Sequence, residues 1–169
     1  MPLTLLIASD THGRADLLQS ALERTGADLL LFLGDGLRDL GAVPSDVTVR
    51  AVRGNCDWVS APDAPTVRVE TVAGTRIYMT HGHLHGVKLQ LDTAVAAAVA
   101  AEADVLLYGH THVPFERTLT RGTSLGGTVL QKDLLVLCPG SLGQPPDAHP
   151  SFATLTLTKS GPLAGFGKL

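Results

Sequence analysis

The sequence is poor in cysteine, in aromatic side chains and in clustered positive charge. Its two cysteines, Cys56 and Cys138, are too few for a disulfide framework and form no CxxC pair, so we expect a reducing, cytoplasmic setting. Aromatic residues make up 4% of the chain and hydrophobic residues 44%, which predicts an aliphatic core. The thirteen lysines and arginines are scattered and the net charge is −3, so no nucleic-acid surface is expected.

The chain also has no long hydrophobic run. Its nearest approach to a membrane span is the alanine-rich segment 94–101, far short of the roughly 18 apolar residues that a span needs. The apolar run at 3–8 follows no basic residue and ends close to Asp10, which is unlike a secretory leader. We expect no membrane association and one domain over residues 1–169, and the sequence leaves a homo-oligomer open.

Short apolar runs alternate with helical patterns in the first two thirds of the chain. The runs predict strands at 3–8, 29–33, 47–52, 76–80 and 105–108. Helical spacing of leucines, with Gly26 as a C-terminal cap, predicts a helix between the first two strands, and residues 87–103 predict a second helix. These elements predict two β-α-β units with parallel strands, hence an α/β fold.

The pattern changes after Pro114. Short alternating segments separated by glycine-rich turns, with no helix between them, predict antiparallel hairpins that form a second sheet packed on the first. Residues 139–141 predict a tight polar loop, and the proline-rich segment 143–150 is a loop by composition.

Polar side chains suited to metal binding follow five of the predicted strands. In chain order they are Asp10 and His12, Asp35, Asn55, His81, and His110 and His112. Because sites in open α/β sheets form outside the carboxyl ends of the strands, we expect these loops to converge. In extended backbone, the i, i+2 spacing of the Asp10 and His110 pairs would direct both side chains of each pair to one side. Adjacent glycines permit close backbone approach.

The chemistry of this set indicates metal-dependent phosphoester hydrolysis. Two carboxylates, one amide and four imidazoles suit Mn, Fe, Co, Ni or Zn and are poor for Ca. Seven ligands are too many for one catalytic ion but fit two ions that share one carboxylate. The formal surplus of roughly +2 would favour an anionic phosphoryl group, so a small phosphoester is the expected substrate.

The ordered motifs resemble those of the calcineurin-like metallophosphoesterase family. "GNCD", "THGH", "GHTH" and "PGS" stand in order, as in its small bacterial and archaeal phosphodiesterase branch, and the resemblance extends from Leu3 to about Leu157. It implies a four-layer α/β/β/α sandwich of two mixed sheets and two divalent metal ions, with manganese as the first expectation.

The resemblance also implies a role for each ligand. Asp10, His12 and His112 would hold one metal, Asn55, His81 and His110 would hold the other, and Asp35 would bridge them. A hydroxide that bridges the metals would attack phosphorus in line, while the metals and Asn55 stabilise the developing charge.

Two departures from the family pattern bear on function. Phosphomonoesterases of the wider family usually have histidine after the Gly-Asn, where this chain has Cys56, interpreted here as a small packed residue. An imidazole at this position would help a poor leaving group to depart, so its absence favours phosphodiesters over monoesters. The segment 120–129 is longer than the expected turn and could be a lid, an oligomer contact or an idle hairpin.

Other interpretations stay open at this stage. His83 and His85 continue the alternation from His81 and could be ligands, substrate contacts or solvent-exposed. The basic residues near the motif loops are most simply solvated surface charges: Arg14, Arg38, Arg53 and Lys88. The alternative functions are a non-catalytic protein-interaction scaffold of the retromer-subunit type and a phosphomonoesterase. A di-zinc hydrolase of the β-lactamase type would need an HxHxDH run, which the sequence lacks.

Overall fold

The computed structural model describes residues 3–169, which contain twelve strands and two α-helices. The strands are β1 (Leu3–Ala8), β2 (Leu29–Phe32), β3 (Thr48–Ala51), β4 (Val67–Val72), β5 (Thr75–Thr80), β6 (Val105–Leu107), β7 (Pro114–Leu119), β8 (Ser124–Leu125), β9 (Thr128–Val129), β10 (Leu134–Pro139), β11 (Ser151–Thr158) and β12 (Gly161–Lys168). The helices are α1 (Ala15–Thr25) and α2 (Asp92–Ala100), and short 3-10 helices cover Leu37–Ala42 and His83–His85. Within 3–169, neither α-helix is long and apolar enough to cross a membrane.

The strands form two five-stranded mixed sheets. The first has the order β12-β11-β1-β2-β3 and the second β4-β5-β6-β10-β7, while β8 and β9 form a separate two-stranded ribbon. β1, β2 and β3 run parallel in the first sheet, and β5, β6 and β10 run parallel in the second. The predicted β1-α1-β2 and β5-α2-β6 units are therefore confirmed.

Strands with two apolar faces explain the layering. On β1, Leu5 and Ile7 join a buried cluster shared with the second sheet, whereas Leu6 and Ala8 pack with α1. On β6, the outward-facing Leu106 packs with α2. Because successive strand residues point to opposite faces, each central strand contacts both its helix and the opposite sheet. The four-layer α/β/β/α sandwich is confirmed.

The expectation that the C-terminal part forms its own sheet is wrong. β11 and β12 extend the first sheet beside β1, and β7 and β10 extend the second beside β6. Alternation identifies a strand, but the choice of its neighbour depends on long-range packing that the local pattern does not encode.

One predicted helix is too long, and two strands were not predicted. The helix predicted at 87–103 is limited to Asp92–Ala100, since residues 87–89 form a turn and Glu102 has a φ of 55°. β4 was not predicted, although its sequence alternates. β12 was also missed, because three glycines and a proline lower its strand propensity, and its antiparallel pairing with β11 overrides that preference.

Candidate metal centre

The loops that follow β1, β2, β3, β5 and β6 meet at one edge of the sandwich. The Asp10 N–H donates to the Gly34 carbonyl at 2.9 Å, which joins the loops after β1 and β2. The His110 N–H donates to Asp10 Oδ2 at 3.1 Å, which joins the two sheets across a sequence separation of 100 residues. The structure therefore brings the five predicted loops together.

Six of the seven predicted ligands form two clusters. The first comprises Asp10, His12 and His112 and the second Asp35, His81 and His110, and in each cluster the ligand atoms lie within 4.8 Å of one another. Asp35 Oδ2 lies 3.3 Å from His81 Nε2 and 3.9 Å from His12 Nε2, so this carboxylate faces both clusters. Asp10 Oδ1 lies 3.1 Å from His112 Nε2 and 3.9 Å from His81 Nε2.

Several atoms of these clusters lack hydrogen-bond partners. Asp10 Oδ1, His12 Nε2 and His81 Nε2 are buried, and none has such a partner among residues 3–169. Leaving a buried polar atom unpaired is unfavourable, and native proteins rarely do so without a compensating group. Because the unpaired atoms face one another and are those that bind divalent metals, the residues fit a metal centre.

The pKa values of Asp10, Asp35 and His110 also suit metal binding. Burial acts to raise the pKa of Asp35, but His81 lowers it to about 2, and the pKa of Asp10 also falls below its usual range because His112 and His12 outweigh its burial. Burial, reinforced by the charge of His81, lowers the pKa of His110 to about 4. At neutral pH the chain therefore presents ionised carboxylates and a neutral His110 imidazole, as coordination requires.

Backbone carbonyls orient two of the histidines. Nδ1 of His81 lies 2.7 Å from the Leu33 carbonyl, and Nδ1 of His112 lies 2.9 Å from the Gln144 carbonyl. A carbonyl only accepts, so in each ring Nδ1 carries the proton and directs Nε2 to the cluster. The loop after β10 contributes further, because the buried Ser141 donates its hydroxyl to the Asp10 carbonyl at 2.8 Å.

Most of the ligands lie on left-handed backbone. Positive φ angles occur at five of the seven predicted ligands: Asp10 (55°), His12 (45°), Asp35 (56°), His110 (68°) and His112 (62°). The expectation that extended backbone aligns the i, i+2 pairs is therefore wrong, since these residues lie in tight loops. His110 and His112 belong to different clusters. Non-glycine residues adopt this conformation at an energetic cost, which is characteristic of functional sites.

Two glycines allow the loops to approach each other. A side chain at Gly54 would overlap the Asp35 carboxylate, and one at Gly109 would overlap the Ser9 hydroxyl. These two positions require glycine because the neighbouring loops pass within contact distance.

Asn55 and Cys56 lie beside the clusters on the loop after β3. Asn55 is exposed, and its amide nitrogen Nδ2 lies 3.4 Å from Cys56 Sγ. The interpretation of Cys56 as a packed residue is wrong, because it is exposed and its Sγ lies within 4.8 Å of ligand atoms of His12 and Asp35. Partial burial and the Asp35 carboxylate raise the pKa of this thiol to about 11.

The sequence analysis missed two carboxylates that organise the loops. Asp57 is buried and accepts four backbone hydrogen bonds of 2.7–2.9 Å, from the N–H groups of Asp35, Gly36, Leu37 and Gly54. Asp39 accepts from the Thr11 hydroxyl and the Gly13 N–H. Asp57 follows directly after "GNC", but only the folded arrangement of neighbouring N–H groups reveals its role.

The two extra histidines differ from each other. The His83 ring lies 5.3 Å from that of His81 and 6.2 Å from that of His110, and its Nδ1 has no hydrogen-bond partner among the described residues. His85 instead lies 3.2 Å from both the Tyr78 hydroxyl and the Thr80 hydroxyl, so it braces β5. His83 alone adjoins the clusters.

A cleft of about 350 Å³ opens beside the first cluster. It is lined by His12, Gly13, Asp35, Gly36, Arg38, Asp39, Cys56, Asp57, Ser60 and Gln144. None of these residues belongs to 120–129, which contains β8 and β9 and packs against α2. The lid interpretation of that segment therefore has no support from the lining of this cleft.

Comparisons with known proteins agree with this geometry. The sequence profile of the calcineurin-like phosphoesterase superfamily domain matches residues 3–160. The chain is 31% identical over 167 residues to the probable metallophosphoesterase YsnB of Bacillus subtilis, covering 97% of this chain and 90% of YsnB. It is 33% identical over 135 residues to phosphodiesterase YfcE of Escherichia coli, covering 65% of this chain and 70% of YfcE.

Solved structures show the same fold. A conserved uncharacterised protein of Streptococcus pneumoniae superposes with a TM-score of 0.69 at 25% identity, covering 100% of this chain and 99% of that one. Vps29 of Chaetomium thermophilum superposes with a TM-score of 0.68 at 19% identity, covering 99% of this chain and 95% of Vps29. With a family profile that spans nearly the whole chain, this protein belongs to the calcineurin-like phosphoesterase superfamily.

Proposed function

We propose that the protein is a phosphodiesterase that acts on a small phosphoester with two divalent metal ions, manganese being the first candidate. The observation that carries the proposal is the pair of ligand clusters faced by Asp35, with unpaired buried atoms on Asp10, His12 and His81. Two clusters of this kind suit a two-metal hydrolase, and the relative YfcE is itself named a phosphodiesterase.

The ligand side chains would bind the two ions in separate sets that share Asp35. Asp10, His12 and His112 would hold one ion, His81 and His110 would hold the other, and Asp35 would bridge them. Asn55, whose exposed side chain contacts Cys56, would complete the second set. When bound, the ions would polarise the phosphoryl group and lower the pKa of the attacking water. The carbonyls of Leu33 and Gln144 keep the His81 and His112 rings oriented.

The preference for diesters rests on Cys56. Its thiol lies beside the centre, at the sequence position where phosphomonoesterases of the wider family usually have histidine, and its raised pKa, about 11, makes it a poor proton donor at neutral pH. A leaving group of high pKa would receive little help there, whereas an activated diester needs less.

Metal analysis and matched substrates test the proposed function. We expect the purified protein to bind about two divalent ions per chain and to hydrolyse bis-p-nitrophenyl phosphate faster than p-nitrophenyl phosphate with added Mn²⁺. Asp35→Asn and His112→Ala should each lower the diester rate by at least about 100-fold, while the exposed control Asp16→Asn should not. Failure to bind metal, or unchanged rates in both ligand variants, would rule out the enzyme.

Replacement of the thiol tests the substrate preference separately. Cys56→His should raise monoester turnover relative to diester turnover, because it supplies an imidazole at the edge of the centre. Cys56→Ser serves as the matched control, since it changes the thiol without adding an ionisable ring. An unchanged ratio in Cys56→His would contradict this explanation of the preference.

The scaffold function stays the second candidate because the fold matches that of Vps29. The likeness shows the fold alone at 19% identity. The two candidates separate on metal and turnover: a protein that folds normally but neither retains metal nor hydrolyses diesters would favour the scaffold.

A further inference from the structure

Arg38 is a basic residue in the lining of the cleft whose charge is not neutralised by a partner. It lies exposed on the 3-10 helix at Leu37–Ala42, and none of the ion pairs or side-chain hydrogen bonds among residues 3–169 involves its guanidinium. Two other arginines near the motif loops are engaged, since Arg14 pairs with Asp16 at 2.8 Å and Arg53 lies 4.7 Å from the Trp58 ring centroid. Among residues 3–169, Arg38 is the only lysine or arginine that lines the cleft.

Two of the three acidic residues that line the cleft, Asp39 and Asp57, accept hydrogen bonds from neutral groups of the protein, and the third, Asp35, belongs to the ligand clusters. Asp57 accepts four backbone N–H groups, and Asp39 accepts from Thr11 and Gly13. In contrast, the exposed Gln144 side chain lines the same cleft, and its amide has no hydrogen-bond partner among residues 3–169. The donors of Arg38 and Gln144 are therefore available to a ligand that extends from the metal centre.

The size and chemistry of the cleft limit what it can hold. Its volume of about 350 Å³ is at the small end of ligand pockets, which span roughly 300–1,000 Å³. No phenylalanine, tyrosine or tryptophan of the described residues lines it, so these walls offer no flat aromatic surface for stacking a nucleobase. A short, non-aromatic group fits these walls best.

Building on the proposed phosphodiesterase function, we propose that Arg38 binds an anionic group, a carboxylate or a phosphate, on the ester arm that occupies this cleft. The planar guanidinium donates two parallel hydrogen bonds to such a group, and the Gln144 amide adds a neutral donor. The substrate class is then a small phosphodiester with one short, negatively charged arm. Arg38 determines specificity and takes no part in the bond-breaking step.

Two substrates that differ only in the charge of the arm test this assignment. One is p-nitrophenyl carboxypropyl phosphate and the other is its carboxamide counterpart, p-nitrophenyl carbamoylpropyl phosphate, with the same leaving group. For the unmodified, metal-loaded protein we expect kcat/KM about tenfold higher for the carboxylate. Arg38→Ala should reduce the ratio to about one, Arg38→Lys should keep part of it, and the control Arg14→Ala should keep all of it.

Three outcomes would overturn the assignment. A ratio near one in the unmodified protein, or a ratio that Arg38→Ala leaves unchanged, would show that Arg38 binds no charged arm. An equal loss for both substrates in Arg38→Ala would place the guanidinium on the reacting phosphoryl group instead.

A binding measurement separates this inference from the proposed function. Calorimetry with the phenylphosphonate monoesters of the two arms, which lack the p-nitrophenolate leaving group, measures binding without turnover. If neither diester is hydrolysed but the carboxylate analogue binds about tenfold more tightly in an Arg38-dependent manner, the phosphodiesterase proposal fails and the role of Arg38 stands. Equal binding of both analogues would overturn the role of Arg38 whatever the activity.

Discussion

The ionisation of Cys56 links a single residue to the charge of the centre. Its backbone N–H donates to Asp35 Oδ1 at 2.7 Å, and its thiol lies near the carboxylates of Asp35 and Asp57. Exposure alone would leave the thiol reactive, but partial burial and the Asp35 charge disfavour the thiolate. The pKa of this thiol therefore depends on the charge of the Asp35 carboxylate.

Alkylation of the metal-free protein tests this effect. A pKa of about 11 keeps Cys56 protonated up to mildly alkaline pH, so its reaction with iodoacetamide should be slow at pH 8 and accelerate as the pH approaches 11. Asp35→Asn should lower the thiol pKa and speed alkylation at pH 8 severalfold, because asparagine keeps the hydrogen-bond acceptor but removes the charge. Mass spectrometry in a Cys138→Ala background measures the rate.

A control variant tests whether the Asp35 charge causes the change in alkylation rate. Asp16→Asn removes an exposed carboxylate that pairs with Arg14 and is not among the charges that raise the thiol pKa, so it should leave the alkylation rate unchanged. If Asp35→Asn also left the rate unchanged, the Asp35 charge would not be a cause of the low reactivity.

At the scale of elements, one carboxylate joins two loops of the centre. Asp57, on the loop after β3, accepts the N–H groups of Asp35, Gly36 and Leu37 on the loop after β2, as well as that of Gly54. Hydrogen bonds from N–H donors to a charged acceptor are stronger than neutral ones. The position of the Asp35 carboxylate therefore depends on a side chain that is not itself a ligand.

Substitution of Asp57 should weaken both stability and loop order. We expect Asp57→Ala to lower the free energy of unfolding by roughly 3 kcal/mol, because it leaves several N–H groups unpaired, and Asp57→Asn to lower it by less. Urea denaturation measures the loss, and hydrogen exchange of the Asp35, Gly36 and Leu37 amides should be faster in Asp57→Ala. The exposed control Asp63→Ala should change stability by no more than about 0.5 kcal/mol. Unchanged exchange at these amides would contradict the proposed link.

The ribbon of β8 and β9 shows what an element contributes away from the centre. Leu125 and Leu130 pack into the cluster that covers α2, and a side chain at Gly126 would overlap Asp92 at the start of that helix. The segment 120–129 therefore covers α2 and does not line the cleft.

At the scale of the whole molecule, metal binding should stabilise the fold. The clusters draw ligands from loops of both sheets, so an ion bound there cross-links the two halves of the sandwich. A ligand that binds only the native state stabilises it by about 2.7 kcal/mol at 100 times its Kd. For a chain of this size, we expect saturating Mn²⁺ to raise the melting temperature by about 5–10 °C.

Scanning calorimetry with and without a chelator measures this shift. The chelator should return the melting temperature to its metal-free value, and the double variant Asp35→Asn/His112→Ala should show a much smaller response to Mn²⁺. An equal shift in that variant would locate the stabilising metal elsewhere.

The local features of this protein can be read from its sequence. A continuous apolar run identifies a buried strand such as β1, and period-two alternation identifies one such as β11, since side-chain direction along a strand depends only on neighbouring residues. The residue types at the strand ends, such as Asp10 and His81, indicate metal chemistry for the same local reason, and parallel β-α-β units bring those ends to one edge.

Long-range contacts are decided only by the tertiary structure. The placement of β11 beside β1 and the exposure of Cys56 depend on segments far apart in sequence. The four N–H groups on Asp57 and the free guanidinium of Arg38 are likewise visible only after folding. The physical reason is that burial, hydrogen-bond satisfaction and charge pairing are properties of a residue's spatial neighbours, whereas periodicity and residue type are properties of the chain.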